Sequence, residues 1–192
     1  MNNLIWCPID VPKLPSSFQE HGGNIWHFWK KTNFTEKKQT PYDESEWTQH
    51  VLAKYPEFVE WFKCLPYATI RNVKFNIQVH PVSPHIDFTQ PLLKPDLHNN
   101  NALNEPCGYR IIVTGKRTNA LYVMDGDKKV YCNMPQETDV YVLGHTNTLH
   151  GVDDEPGRET IFVHIEVNPD QHQLLLSRSL AKYKQYAIYE TE

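Results

Sequence analysis

The residues whose types and spacing could do chemistry are His85 and Asp87, on either side of Ile86, followed by His150 and Arg158. Two imidazoles and one carboxylate are the donor set that holds non-haem Fe(II) on one face and leaves positions open for other ligands. In extended backbone, residues i and i+2 project to one side. His85 and Asp87 would therefore reach one metal from a strand while Ile86 turns away to pack. His150 is too distant in sequence for a local turn and must arrive on another strand. Arg158, eight residues further on, supplies a cation that meets a carboxylate through paired N–H donors and stays charged at any working pH. A chelating dicarboxylate co-substrate suits that pairing.

The elements that must position these groups are strands. Val73, Phe75, Ile77 and Val79 alternate with Asn72, Lys74, Asn76 and Gln78, which predicts a strand buried on one side and leading into His85. Further strands are expected over 109–114, 120–124, 129–132, 139–143 and 159–167, with Asp125-Gly126 as a hairpin turn between two of them. Thr40-Pro41-Tyr42-Asp43 has the pattern of a helix start, a cap, a proline at the first position and an acid three residues after the cap. Pro56 opens a second helix whose Phe58, Trp61, Phe62 and Leu65 recur at helical spacing. Asn168-Pro169 caps a last helix with Leu176, Leu180 and Tyr183 as its apolar stripe.

Residues 1–40 read as irregular, with Pro8, Pro12 and Pro15 breaking the chain and Trp26, Phe28 and Trp29 packing on the core. The stretch 88–106, with three prolines and an Asn run, reads as a long loop of the kind that acts as a lid. The fold expected is mainly β with flanking helices, a jelly roll or distorted barrel. It forms one domain over 1–192, with an irregular and helical scaffold over 1–67, the jelly-roll core over 68–168 and a C-terminal helix over 169–192.

A net charge of −4 gives no concentrated positive field, so no nucleic-acid partner is expected. Cys7, Cys64, Cys107 and Cys132 are scattered with no CxxC, which points to reduced thiols rather than a zinc knuckle or disulfides. No apolar stretch of the length of a membrane span and no leader-like N-terminus is present. The expectation is a cytoplasmic protein without a membrane partner.

The order HxD, distal His, Arg resembles the Fe(II)- and 2-oxoglutarate-dependent dioxygenases. Pro84-His85, Tyr109-Arg110-Ile111 and Thr148-Leu149-His150-Gly151-Val152 through Arg158 look like their aspartyl/asparaginyl β-hydroxylase branch, over roughly residues 70 to 170. The resemblance implies a double-stranded β-helix, cupin-like, with His85, Asp87 and His150 as ligands of Fe(II). It makes 2-oxoglutarate the co-substrate and O₂ the oxidant. Arg158 and Thr160 would hold the distal carboxylate, with Arg110 near the co-substrate. Where the branch can place a histidine two residues after that arginine, this chain has Ile112, and Asn76 or Gln78 would supply the second contact. His145 is the rival of His150, which the match favours. His80 and His164 read as core or surface residues and Glu166 as structural.

The activity implied is hydroxylation of an amino-acid side chain, either an Asp/Asn-type residue in a polypeptide or a free amino acid. The same ligand types could instead hold Zn²⁺ or Mn²⁺ in a cupin-like hydrolase or isomerase. A non-catalytic binding module is the remaining alternative.

Overall fold

The computed structural model describes residues 4–18, 28, 40–41, 43, 46–86, 105–143, 148–153 and 156–190. In chain order its elements are β1 (Leu4–Pro8), β2 (Thr40–Pro41), α1 (Gln49–Lys54), α2 (Pro56–Phe62), β3 (Tyr67–Ile77), β4 (Val82–His85), β5 (Glu105–Thr114), β6 (Leu121–Asp125) and β7 (Lys128–Tyr131). They continue with β8 (Val140–Leu143), β9 (His150–Val152), β10 (Glu159–Val167), α3 (Pro169–Tyr183) and β11 (Ile188–Tyr189).

The protein is mainly β, with two antiparallel sheets. The larger has the order β11-β1-β8-β5-β10-β3-β2 and the smaller β4-β9-β6-β7. From β3 to β10 the pairings nest: β3 with β10, β4 with β9, β5 with β8 and β6 with β7. The chain therefore runs as one long antiparallel ribbon, doubled back between Asp125 and Lys128, whose successive rungs fall in alternate sheets. Gly126 at this turn has φ +58, a conformation that costs glycine nothing.

One apolar cluster joins the two sheets, with Trp6, Ile112, Tyr141 and Leu143 from the large one and Leu121, Val123 and Val152 from the small one. The opposite face of the large sheet carries Tyr109, Ile111, Val140, Val142, Ile161, Val163 and Ile165, packed with Phe58, Phe62 and Leu175 of the helices. Alternation along each strand divides these faces, since neighbouring side chains point to opposite sides.

Several local expectations change. Thr40-Pro41 forms no helix start but pairs with Ile70 and Thr69 of β3. Proline suits this outermost strand, where its missing N–H costs no ladder bond. The helix begins later, capped by Thr48, whose hydroxyl accepts from Val51 N. Leu4–Pro8 is not irregular: it lies between β8 and β11 inside the large sheet. Its Ile5, Trp6, Cys7 and Pro8 are all buried, so period-two alternation gives no signal there. Val79 is 65% exposed because β3 ends at Ile77.

On α3 the buried residues are His172, Leu175, Ser179 and Tyr183, with Leu176 and Leu180 at the margin. Two of those buried side chains are polar and satisfied. Tyr109 Oη lies 2.7 Å from His172 Nδ1, and Ser179 Oγ donates to Leu175 O while accepting from Asp10 N. Phe28 is fully buried, as expected for a core aromatic. Trp26, Trp29, His145 and residues 88–104 of the expected lid lie outside the described residues. No helix among the described residues is long and apolar enough to cross a membrane.

Candidate metal centre and anion pocket

Rung β4–β9 of the ribbon carries the histidines. His85 is paired in register with His150, and their ring centroids are 4.6 Å apart at an interplanar angle of 46°. Two imidazoles bound through nitrogen at about 2.1 Å, roughly at right angles, need about that separation.

Each ring is oriented by its own backbone. His85 Nδ1 lies 2.9 Å from Ser83 O, and His150 Nδ1 lies 2.9 Å from Thr148 O. A carbonyl only accepts, so each Nδ1 carries a proton, and in the neutral tautomer this leaves Nε2 as the metal-binding nitrogen. This second contact is what fixes the tautomer and aim of metal-binding histidines generally.

Strict alternation from Val82, which packs on the inter-sheet cluster, would send His85 to the opposite face. A register irregularity between Val82 and His85 reverses the phase. Pro84 sits inside it, where a missing N–H and an interrupted ladder go together. On β9, His150 is buried and Gly151 lies on the outer side, beneath the hydroxyl and ring end of Tyr122. That hydroxyl donates to Val82 O at 3.4 Å, so β6 reaches over β9 to β4.

Asp87 lies outside the described residues, and β4 stops at His85. Among the described residues no three His, Cys, Asp or Glu side chains are grouped to hold a metal. The donor chemistry of the two rings fits a borderline divalent ion with open positions, and a carboxylate two residues along from His85 is of the type that completes such a set.

Arg158 directly precedes β10 and is buried, as are Thr160 and Arg110. Arg158 and Thr160 share one face by alternation, and Thr160 is in register with Ile112 on one side and Asn76 on the other. The Thr160 hydroxyl is buried and has no hydrogen-bond partner among the described residues. Arg110 is in register with Phe162 and Tyr141; its guanidinium lies over the Phe162 ring at 4.3 Å and donates to Tyr109 O.

Tyr141 is buried, within the electrostatic reach of Arg158 and Arg110. Desolvation holds its phenol above the usual range, against the opposing pull of the Arg158 and Arg110 charges. The Cys132 thiol, also within the field of Arg158, is pushed well up by burial. Arg110 and Tyr141 thus share the inner face of the large sheet, and the charges of Arg110 and Arg158 give that region a positive field suited to an anion.

Gln78, one of the two residues suggested for a second co-substrate contact, is engaged in local hydrogen bonds. Its Nε2 donates to Asp153 O, and its backbone N–H donates to Arg158 O, which ties the end of β3 to the end of β9. Asn76 is half-buried beside Thr160. Ile112 packs in the inter-sheet cluster. Glu166 accepts from Thr69 Oγ1 at 3.1 Å, a structural contact, and His80 is exposed. The residues sequence reasoning passed over are Tyr122 with Gly151, and Tyr141. The last had a signal, a polar-tipped side chain between Val140 and Val142 on a strand where both faces are buried.

Comparison of the chain with protein-family models, with curated proteins and with solved structures returns no match.

Proposed function

We propose that the protein is an Fe(II)- and 2-oxoglutarate-dependent dioxygenase that hydroxylates an amino-acid side chain, built on a double-stranded β-helix. The observation that carries the reading is the in-register pair His85 and His150, with both Nδ1 atoms engaged by backbone carbonyls. Its fold component is supported by the nested pairing. With β3 counted as first, the large sheet holds the first, eighth, third and sixth strands and the small one the second, seventh, fourth and fifth, the order that an antiparallel ribbon wound into a jelly roll produces.

His85 and His150 present Nε2 lone pairs to the ion, with Asp87 as the third donor. An Fe(II) ion held by these residues would supply the O₂ chemistry that couples decarboxylation of 2-oxoglutarate to succinate and CO₂ with insertion of an oxygen atom into a C–H bond. Arg158 seats the distal carboxylate through paired N–H donors, and Thr160 adds a hydroxyl from the same face. The inter-sheet apolar cluster excludes water and keeps those charge-assisted bonds in a low dielectric. Substrate would be an amino acid, free or within a polypeptide.

The test is succinate release from 2-oxoglutarate under Fe(II) and air, screened over free amino acids and a peptide library. The wild-type protein is expected to release succinate, and His85→Ala and Asp87→Ala to release none. Turnover retained by either variant would remove that residue from the role.

A further inference from the structure

β9, which carries His150, and β10, which Arg158 directly precedes, are joined by residues 153–158. Gln78, just past the end of β3, holds both ends of that connection. Its backbone N–H donates to Arg158 O at 2.8 Å, and its carbonyl accepts from Gly157 N at 2.9 Å. Gly157 has φ +83, a turn that glycine makes without strain. The Gln78 side chain is 5% exposed, and its Nε2 donates to Asp153 O at 2.8 Å. A carbonyl only accepts, so the nitrogen of this amide and not its oxygen must face Asp153.

The two ends belong to different sheets. Asp153 is anchored to the small one: its N–H donates to the carbonyl of Ala120, just before β6, at 3.0 Å, and its carboxylate accepts from Lys129 Nζ and Tyr131 Oη on β7. Gly157 and Arg158 lead into the large one. The Gln78 amide is therefore a hydrogen bond from one sheet to the other, set between the strand of His150 and the strand of Arg158. Its Oε1 is buried with no partner among the described residues, a cost that an apolar side chain there would not carry. The contribution of the amide lies in what its donor holds.

We infer that Gln78 is a positioning residue: by tying Asp153 to the start of β10 it sets where Arg158 stands relative to His150. It acts through Arg158 and not by contact with a ligand. This rests on the reading of His150 as a metal ligand and of Arg158 as the group that seats a distal carboxylate. A co-substrate that chelates the metal and reaches Arg158 at once needs that separation held, because both ends must be met in one geometry. One that only chelates the metal does not.

The experiment titrates the full-length protein anaerobically with Mn(II), and then the Mn(II)-loaded protein with 2-oxoglutarate or with 2-oxobutyrate, which keeps the chelating end and lacks the distal carboxylate. In Gln78→Met, which keeps the length of the side chain and loses the donor, the Kd for 2-oxoglutarate is expected to rise about tenfold, the scale of a hydrogen bond to a charged group. The Kd values for 2-oxobutyrate and for Mn(II) are expected to stay within about twofold of wild type on the same scale. Should Gln78→Met fold poorly, Gln78→Asn, which keeps an amide but is one methylene shorter, is expected to give the same split. Equal weakening of all three ligands makes Gln78 a packing residue, and no weakening of 2-oxoglutarate means that Arg158 is positioned without it. Either result overturns the inference while leaving the oxygenase reading in place. A wild-type protein that binds 2-oxoglutarate no better than 2-oxobutyrate overturns the dicarboxylate reading itself, and the role of Gln78 with it.

Discussion

A Cβ added to Gly151 would lie 2.5 Å from Val82 O and closer still to the hydroxyl of Tyr122. Glycine at this position is what lets the Tyr122 hydroxyl cross β9 and reach the carbonyl of β4. Gly151→Ala is expected to destabilise the fold by about 1–3 kcal/mol, the cost of overpacking a tight contact. It should also weaken metal binding, because β4 carries His85. Urea unfolding and Mn(II) titration measure the two effects. An unchanged metal affinity would show that this contact does not set the separation of the rings.

Arg158→Lys keeps the charge but replaces a planar fork with a point donor. If Arg158 seats a carboxylate bidentately, the KM for 2-oxoglutarate should rise by about tenfold or more with the metal affinity unchanged. Succinate release measured across a range of 2-oxoglutarate concentrations reads this directly, and a wild-type KM in the variant would place the carboxylate elsewhere.

His172, buried on α3 beside Tyr109, has its pKa lowered by desolvation from 6.5 to about 4. Between those values the unfolded chain binds a proton there and the native one does not, so stability increases with pH across that window. The contribution is complete above pH 6.5 and is lost as pH falls towards 4, a change of about 2–3 kcal/mol. Urea midpoints at pH 7 and pH 4.5 should differ more for the wild-type protein than for His172→Gln, in which that slope is removed.

Asp139 holds a structural junction away from the rings. Its carboxylate accepts from Arg117 Nη1 at 2.9 Å and from Leu14 N at 2.9 Å, while Arg117 also donates to Pro135 O and Thr138 O. Removing one member of a buried pair leaves the other uncompensated, so Asp139→Ala should lose about 3–5 kcal/mol. Guanidinium unfolding checks the loss. Mn(II) affinity at a temperature where the variant is folded should match wild type, and a large fall would assign Asp139 to the site.

Much of the scaffold was legible where local pattern and tertiary role coincide. The strand 159–167 alternates because one of its faces meets the helices, and its observed limits, Glu159–Val167, agree with the expected ones. Pro56 and Asn168-Pro169 begin α2 and α3 as expected, because proline at the first position and a capping side chain act within one turn. The pattern misled where a distant partner competed. Thr40-Pro41 reads as a helix start, yet the edge of β3 captures it. Leu4–Pro8 carries no alternation because it is buried through to both sides.

The sequence by itself determined the kinds of donor present and which strands could carry them, since side-chain chemistry and the two-residue period are properties of local covalent structure. Only the tertiary structure decided that His85 faces His150, because that depends on a nested ribbon pairing and on a register irregularity at Pro84 that no periodicity in β4 announces. It alone also decided that Tyr141 and Arg110 share the inner face of the large sheet, in register on neighbouring strands. That placement is a consequence of sheet order, a non-local quantity fixed by burial of the whole ribbon rather than by any segment of it.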